Sequence, residues 1–482
     1  MTTAEEFCES YLVVDAKEAS LYDIVCILFC STTYLNTKNF YNERSEYVER
    51  SIWQNLGRRF IIFASMLAQK LLLWAEKPLA LIGFLIEFWL NLLSSNGGFF
   101  GLLINIIRGK VVRPESPEKF MTIIGQLDPR LKLDSRIKKG DRRYNRLLSI
   151  MAAKLSYENG AFVKAAIQDQ LKMEFIGFYT FWNDYQNQFT TYATMFQDTL
   201  DPNLIIVAFR GTRPFTARDW ITDIDISWYE LKDLNNSKPI GRIHSGFMKA
   251  LGLQKIKGWP KNLEPPPDAT AEHPYAYYSI REKLKEILEK NANARFIVAG
   301  HSLGGALAIL FVSVLGLHEE TRLLKRLEGV YTFGQPRVGD VSFGRYMMKI
   351  IKDNGVRYFR YVYSNDIVPR LPFDDRSLFF KHFGPSLFFD SFYHGKVLKE
   401  EPNKNYFSIV WVIPKYLTAF WEVIRSFILP YWKGKEYRES HTERIFRLVG
   451  LIIPGISAHS PKDYVDVTRL GPDLIPAISK FE

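Results

Sequence analysis

The segment Arg295-Phe-Ile-Val-Ala-Gly-His-Ser-Leu-Gly-Gly-Ala-Leu-Ala308 decides how the chain is expected to fold. An apolar, strand-like run leads into Gly300-His-Ser-Leu-Gly304, a G-x-S-x-G pattern, and a helix-forming run follows directly. In this pattern the serine sits on a tight turn between a strand and a helix, and the glycines let the two backbones approach without Cβ clashes. The first amides and the dipole of the helix point at the serine. The context therefore predicts Ser302 as a nucleophile.

Strand-like and helix-like segments alternate around this turn from about residue 146 onward. The strand-like runs lie at 204–210, 295–300, 330–333 and 357–364, and the helical patterns at 278–291 and 303–317. This alternation predicts an α/β fold with a mainly parallel central sheet that is covered by helices. We therefore assign residues 146–482 to one catalytic domain and residues 1–145 to a separate N-terminal region.

A serine hydroxyl becomes a nucleophile when a histidine takes its proton and a carboxylate orients that histidine. In folds with this turn, the chain order is serine, acid, histidine. The histidines that follow Ser302 are His318, His382, His394, His441 and His459. His459 lies in a loop near the C-terminus, where such a fold delivers its base. For the acid we prefer Asp366, which follows the strand-like run 357–364. Asp340 is the alternative, followed by Asp374 and Asp375.

The negative charge that develops on the substrate oxygen needs two backbone N–H donors. Leu303 follows the nucleophile and supplies one of them. Thr212 follows the apolar run 205–209 and can supply the second, together with its hydroxyl. The next segment, 215–226, has an apolar face that includes Trp220 and is expected to form a short mobile helix over the site. The alternative is a plain surface helix.

Composition restricts the compartment and the partners. The chain has 482 residues and a net charge of +11, which suits an anionic membrane surface or nucleic acid. Zinc-finger spacing and RNP-like strands are absent from the sequence, so we expect no nucleic-acid partner. Clusters with metal-ligand spacing are absent too, and we expect neither a metal nor a cofactor. The three cysteines lie within the first thirty residues and the N-terminus is acidic, which predicts a reducing compartment and no signal peptide.

Residues 79–107 contain no lysine or arginine, and Glu87 is their only acid. Strong turn residues, Ser94-Ser-Asn-Gly-Gly98, divide the segment into arms at 79–93 and 99–107, each too short to span a bilayer. We therefore predict a helical hairpin that enters and leaves a lipid layer by one face. The upstream apolar stretch 60–74 is broken by Gln69 and Lys70. The basic flanks suit phospholipid headgroups and are Lys77, Arg108, Lys110 and Arg113. Buried helices of a soluble domain and amphipathic surface helices are the alternatives.

Six motifs, in the family's order between residues 209 and 370, resemble the class 3 (fungal-type) triacylglycerol lipases. They are Phe209-Arg-Gly-Thr212, Asp219-Trp-Ile-Thr-Asp223, His244-Ser-Gly-Phe247, Gly300-His-Ser-Leu-Gly-Gly305, Phe333-Gly-Gln-Pro-Arg-Val-Gly339 and Asn365-Asp-Ile-Val-Pro-Arg370. The resemblance implies an α/β-hydrolase fold, a triad of Ser302, Asp366 and His459, and an oxyanion hole at Thr212 and Leu303. It also implies that a lid contains Asp219, Trp220, Ile221 and Asp223.

The apolar N-terminal region looks like that of the plant oil body lipases. This resemblance implies a serine esterase that hydrolyses triacylglycerol on the cytosolic surface of lipid droplets, with the phospholipid monolayer as its second partner. A phospholipase or galactolipase acting on membranes is the first alternative, and a non-catalytic lipase-like scaffold is the second. The stretch 376–450 is rich in aromatic residues and departs from the compact fungal pattern, and the resemblance assigns it no role.

Overall fold

The structure, a computed structural model, describes residues 8–44, 52–232, 239–253, 264–265, 270–374 and 379–478. Its strands are β1 (Cys8–Val14), β2 (Tyr41–Arg44), β3 (Glu174–Asn183), β4 (Gln188–Gln197), β5 (Leu204–Phe209), β6 (Trp228–Lys232), β7 (Pro239–His244), β8 (Arg295–His301), β9 (Leu327–Phe333), β10 (Arg357–Tyr363), β11 (Ser386–Phe389) and β12 (Gly395–Leu398).

The α-helices are α1 (Leu21–Phe29), α2 (Thr32–Leu35), α3 (Ile52–Ser95), α4 (Gly98–Ile107), α5 (Ile123–Leu127), α6 (Tyr144–Leu155), α7 (Gly160–Ala165), α8 (Ala217–Ile224), α9 (Ser245–Ala250), α10 (Ala276–Lys290), α11 (Leu303–Leu317), α12 (Thr321–Leu324), α13 (Val341–Asp353), α14 (Val412–Lys433), α15 (His441–Ile452), α16 (Pro461–Leu470) and α17 (Ile475–Ile478). A π-helical turn forms at Ala166–Leu171, and 3₁₀ turns form at Val368–Arg370, Ile409–Trp411, Lys435–Tyr437 and Ser457–His459.

The larger sheet has the strand order β12-β11-β10-β9-β8-β5-β4-β3. Its central strands β11, β10, β9, β8 and β5 are parallel, and antiparallel pairs complete both edges. Parallel strands need crossover connections, which here run through helices, and both faces of the sheet are therefore covered. The predicted α/β-hydrolase fold with a mainly parallel sheet is confirmed.

Strand β8 shows how the sheet builds two cores. Phe296 and Val298 face the core that α10, α11 and α13 cover, while Ile297 and Ala299 face the core that α6 and α16 cover. All four side chains are buried, as expected for a central strand whose residues alternate between two covered faces. The buried central strand β8 thus leads directly to Ser302.

A smaller antiparallel sheet, with the order β2-β1-β6-β7, crosses the boundary that the sequence suggested at residue 145. Strand β1 pairs with β6, so that Leu12 lies opposite Trp228, and both side chains share one buried cluster. The predicted regions 1–145 and 146–482 therefore share a sheet and a core. The division of the chain into these two regions stays a prediction.

Helices α3 and α4 contain the predicted hairpin arms, and the turn between the helices is at Asn96 and Gly97. The first arm is longer than predicted, because α3 runs unbroken for 44 residues through Pro78. Its segment Leu56–Ser95 is long and apolar enough to cross a membrane, and it is alone in this among the helices the structure describes. The side chain of Asn91 ties the helix to the protein body, accepting the Met121 N–H at 2.9 Å and donating to the Met121 carbonyl at 2.7 Å.

Candidate active site

Ser302 occupies the turn between β8 and α11 with φ 59° and ψ −133°, a backbone conformation that residues other than glycine rarely adopt. Its N–H donates to the Phe333 carbonyl at 2.9 Å, which holds the turn against β9. A Cβ at Gly300 would lie 2.1 Å from the backbone of Gly304, and a Cβ at Gly304 would lie 2.2 Å from the Phe209 carbonyl oxygen. Only glycine fits at both positions, and the sharp turn that presents Ser302 depends on them.

The structure brings His459 and Asp366 together at the carboxyl ends of the strands. The Nδ1 of His459 donates to Asp366 Oδ2 at 2.8 Å. The carboxylate also accepts the Tyr464 hydroxyl at 2.5 Å and the Val368 N–H at 2.9 Å, so that both oxygens are held while the group is fully buried. Among the described residues, His459 Nε2 is buried and has no hydrogen-bond partner. This nitrogen is therefore available to accept a proton.

His301 supports the backbone of His459 and was not assigned a role from the sequence. Its Nε2 faces the His459 carbonyl oxygen at 3.1 Å and must carry the proton, so that Nδ1 accepts the Tyr157 hydroxyl at 2.8 Å. Burial lowers the pKa of His301 well below its usual value, and the ring stays neutral. The rings of His301 and His459 lie 4.5 Å apart. The position of His301 directly before Ser302 in the G-x-S-x-G pattern was the one sequence signal for this role, and the sequence held no comparable signal for Tyr157.

The two predicted oxyanion donors lie directly after Ser302 and in the loop after β5. Leu303 is the first residue of α11, where an N–H has no acceptor within the helix. Thr212 belongs to the loop after β5, and its hydroxyl donates to Asp223 Oδ2 at 2.5 Å. A Cβ at Gly211 would lie 2.5 Å from the His301 carbonyl oxygen, so the loop touches the serine turn. Burial raises the pKa of Asp223 to about 7.

Helix α8 fills most of the predicted lid segment. Asp219 is buried, bonds to Arg210 Nη2 at 3.2 Å and accepts the Arg213 N–H at 3.1 Å. Ile221 is buried, while Trp220 is half-buried and donates from Nε1 to the Pro214 carbonyl at 2.9 Å. The hydrogen bonds of Asp219 and Trp220 thus fix this segment, in which Ile221 is buried while Trp220 and Ile224 are only partly covered.

The long helix α3 packs directly on α8. Ser65 donates to the Ile224 carbonyl at 2.7 Å, and Glu76 pairs with Arg218 at 2.8 Å. A Cβ at Gly83 would lie 2.6 Å from the Cβ of Phe215, so this glycine provides the space for the Phe215 side chain. The predicted anchor and the predicted lid are therefore in contact.

The remaining sequence candidates have structural roles in the described parts of the chain. Asp340 caps α13 and accepts the Phe343 N–H at 2.8 Å, and Asp374 pairs with Lys404 at 3.0 Å. Asp375 lies outside the described residues. Among the histidines, His318 bonds to a tyrosine hydroxyl, His382 to a backbone carbonyl, and His394 pairs with Asp390, while His441 begins α15. Groups of three or more potential metal ligands are absent from the described residues.

Comparisons with known proteins find similarity over most of the chain. The family model described as "Lipase (class 3)" matches residues 206–376. A triacylglycerol lipase OBL1 from Nicotiana tabacum is 41% identical over 493 residues, covering 88% of this chain and 85% of the relative. The Arabidopsis thaliana protein of the same name is 42% identical over 449 residues, with coverages of 86% and 85%. Similarity to the chloroplastic phospholipase A1-Igamma2 of Arabidopsis thaliana, 31% over 188 residues, covers 35% of this chain and 30% of that relative.

Proposed function

Because the chain belongs to the class 3 lipase family, we propose that it hydrolyses triacylglycerol at the surface of lipid droplets. We propose Ser302, His459 and Asp366 as its catalytic residues. The hydrogen bond from His459 Nδ1 to Asp366 Oδ2 carries this proposal. It fixes the tautomer in which Nε2 is unprotonated, and an unprotonated Nε2 can accept the hydroxyl proton of Ser302.

In the first half-reaction, Ser302 Oγ attacks the ester carbonyl carbon while its proton moves to His459 Nε2. The N–H groups of Leu303 and Thr212 stabilise the resulting oxyanion, and the carboxylate of Asp366 stabilises the imidazolium. When the tetrahedral intermediate collapses, the ester C–O bond breaks. His459 gives its proton to the departing alkoxide, so that diacylglycerol leaves and the acyl group stays on Ser302.

In the second half-reaction, water takes the place of the alcohol. His459 accepts a proton from the water, whose oxygen attacks the acyl carbon, and the second intermediate expels Ser302 Oγ. The proton returns from His459 to the serine, and a fatty acid leaves. The hydrogen bond between Thr212 and Asp223 keeps the oxyanion loop in place during both steps.

Exposed apolar side chains on α3 and α4 support a droplet as the location. They are Leu71, Trp74, Leu81, Ile82, Phe84, Leu85, Phe88, Trp89, Phe99, Phe100, Leu103, Ile104, Ile106 and Ile107. An oil droplet has no aqueous compartment beneath its phospholipid monolayer, so a segment that enters must return by the same face. The α3–α4 hairpin has this form, and the exposed basic residues after it face the headgroups.

Release of fatty acid from emulsified triolein, compared with phospholipid vesicles, tests the proposal. We expect the unchanged chain to prefer triolein. Ser302→Ala is expected to lower hydrolysis by about 10⁴-fold or more while thermal unfolding stays the same. Substantial residual activity in that variant would rule out Ser302 as the nucleophile. A preference for phospholipid would contradict triacylglycerol as the substrate. It would support phospholipid instead, as the name of the phospholipase A1 relative suggests.

A further inference from the structure

Helices α14 and α15, which lie largely in the aromatic-rich insertion, expose apolar side chains and bury charged ones. This is the reverse of the arrangement in a helix that faces water. The outward stripe of α14 recurs at helical spacing and consists of Ile413, Leu417, Phe420, Ile424, Phe427 and Tyr431, all exposed. Helix α15 packs against α14 and adds its own exposed apolar residues, which are Ile445, Leu448, Val449 and Ile452. Together the two helices expose an apolar surface that the described parts of the chain leave uncovered.

The charged residues along the body of α14, and Glu443 and Arg447 of α15, point inward. Every charged residue between Val412 and Trp432 is buried. Arg425 binds Asp463 at 2.9 Å, and Arg447 of α15 binds the other oxygen of Asp463 at 2.6 Å. Arg447 is also paired with Glu439 at 3.1 Å and with Glu443 at 3.0 Å. A buried ion network of this kind fixes the two helices on the protein body from their polar side.

Helix α10 of the same protein shows the ordinary arrangement. It buries Ile280, Leu284 and Leu288 and exposes Glu286 and Lys290. A helix that faces water places its charges outward, and one that faces hydrocarbon places them inward. By this comparison, α14 has the surface of a helix in contact with lipid.

The position of α14 and α15 near His459 and the proposed droplet anchor favours lipid, and not a protein, as the partner that covers their apolar surface. Helix α15 ends at Ile452, seven residues before His459, and Ile452 and Ile453 are exposed next to that loop. Helix α5 packs against both α15 and α3, so the α14–α15 surface lies beside the proposed droplet anchor. The connection after α14 exposes Lys433, Lys435 and Arg438 against one acid, Glu436, which suits anionic headgroups.

We propose that the apolar stripe of α14 and α15 is a second lipid-docking surface, which inserts into the phospholipid-covered surface that carries the substrate. This inference rests on the proposed lipase function. With α3 and α4 it gives the protein two lipid contacts near the active site. The two contacts orient the opening beside His459 toward the oil, whereas a single anchor would leave the catalytic domain free to tilt.

Flotation with artificial droplets tests the stripe directly. The droplets have a triolein core coated with phosphatidylcholine and phosphatidylserine. The triple variant Leu417→Ser, Phe420→Ser, Phe427→Ser is expected to lose about 100-fold or more in droplet affinity, because three large apolar side chains no longer leave water. Its turnover of a soluble short-chain ester should stay within about twofold of the unchanged chain, since none of the three residues contacts the triad.

Two leucines of similar exposure provide a matched control. Leu417 is 65% exposed on the stripe, and Leu200 is 60% exposed in the turn before β5, at the opposite end of the parallel strands from Ser302. A fluorophore attached to Leu417→Cys should shift to the blue on droplets, and one attached to Leu200→Cys should not. Labelling of the unchanged chain gives the background of its own cysteines. These conservative variants keep the test valid if the triple variant unfolds.

The outcomes separate the docking surface from the lipase activity. Unchanged flotation of the triple variant, or equal fluorescence of the two labels, would overturn the docking proposal and point to a protein partner for the stripe. Hydrolysis of the soluble ester would be unaffected by that result. If the unchanged chain instead floats by its stripe but releases no fatty acid from triolein, the proposed function fails and the docking surface stands.

Discussion

Replacement of Asp366 by asparagine tests which carboxylate orients His459. In the structure one oxygen of Asp366 accepts the His459 Nδ1 hydrogen at 2.8 Å, and the other accepts the Val368 N–H at 2.9 Å. An asparagine that keeps its oxygen on Val368 turns its NH₂ group toward His459. Two donors then face each other, and the imidazole changes to the tautomer with its proton on Nε2. That tautomer cannot receive the proton of Ser302.

The expected loss in kcat is about 10⁴-fold, the size seen when a triad carboxylate is replaced by an amide. At 1.36 kcal/mol for each tenfold change, this is about 5 kcal/mol of transition-state stabilisation. Stability should change much less, because the Val368 bond is kept and the Tyr464 hydroxyl can rotate to bond with the new amide. Turnover of a saturating soluble ester, together with a thermal melt, measures the two effects separately.

Asp340→Asn is the matched control. Asp340 accepts the Phe343 N–H at 2.8 Å as the N-cap of α13, and asparagine caps helices about as well as aspartate. We expect kcat to stay within about twofold. A larger loss for Asp340→Asn than for Asp366→Asn would refute the assignment and the tautomer argument with it.

Three further predictions follow from the lid, the oxyanion loop and the anchor. Trp220→Ser should lower activity on emulsions more than on a soluble ester, because this half-buried side chain meets lipid when α8 moves; equal losses on both substrates would indicate a static helix. Burial raises the pKa of Asp223 from 3.8 to about 7. At pH values between these two, the folded protein holds a proton on Asp223 that the unfolded chain releases, so the free energy of unfolding falls as the pH rises. Asp223→Asn should therefore raise the melting temperature more at pH 8 than at pH 5, and a pH-independent difference would contradict this. Phe99→Ser, Phe100→Ser and Ile104→Ser together should lower the fraction of a fluorescent fusion on droplets, where the α14–α15 stripe is its remaining lipid contact, without affecting turnover of soluble esters; unchanged droplet coating would place the anchor elsewhere.

The parts of the fold that could be predicted depend on local sequence. The helix predicted at 303–317 forms at those bounds, and the strand predicted at 295–300 ends one residue later, at His301. Both follow from an apolar run next to glycines, because this local pattern produces the sharp turn between a strand and a helix. The hydrogen bond between His459 and Asp366 joins residues 93 positions apart. The expected chain order left other histidines and Asp340 open, and the resemblance to the class 3 lipases selected this pair.

The features that could not be predicted depend on distant partners. Gln69 and Lys70 interrupt the apolar stretch 60–74, and α3 continues through both. Gln69 bonds to Ser65 within the helix, whereas Lys70 donates to the Ala16 carbonyl at 3.1 Å, from a segment 54 residues away. Lys70 is thus satisfied by a tertiary contact that the local pattern does not contain. The role of Tyr157 is hidden in the same way, because its partner His301 is 144 residues further on.

The pairing of β1 with β6 has a consequence for how the chain is made. Leu12 and its partner Trp228 are separated by 216 residues, which a ribosome adding about 5–20 residues per second translates in roughly 10–45 s. Throughout that interval β1 lacks a neighbour on one side, and the apolar residues of α3 and α4 are translated well before β6. The nascent chain therefore exposes the proposed lipid anchor before Ser302 exists. A ribosome stalled midway between α4 and Ser302 would hold a chain that carries the proposed anchor and can hydrolyse nothing.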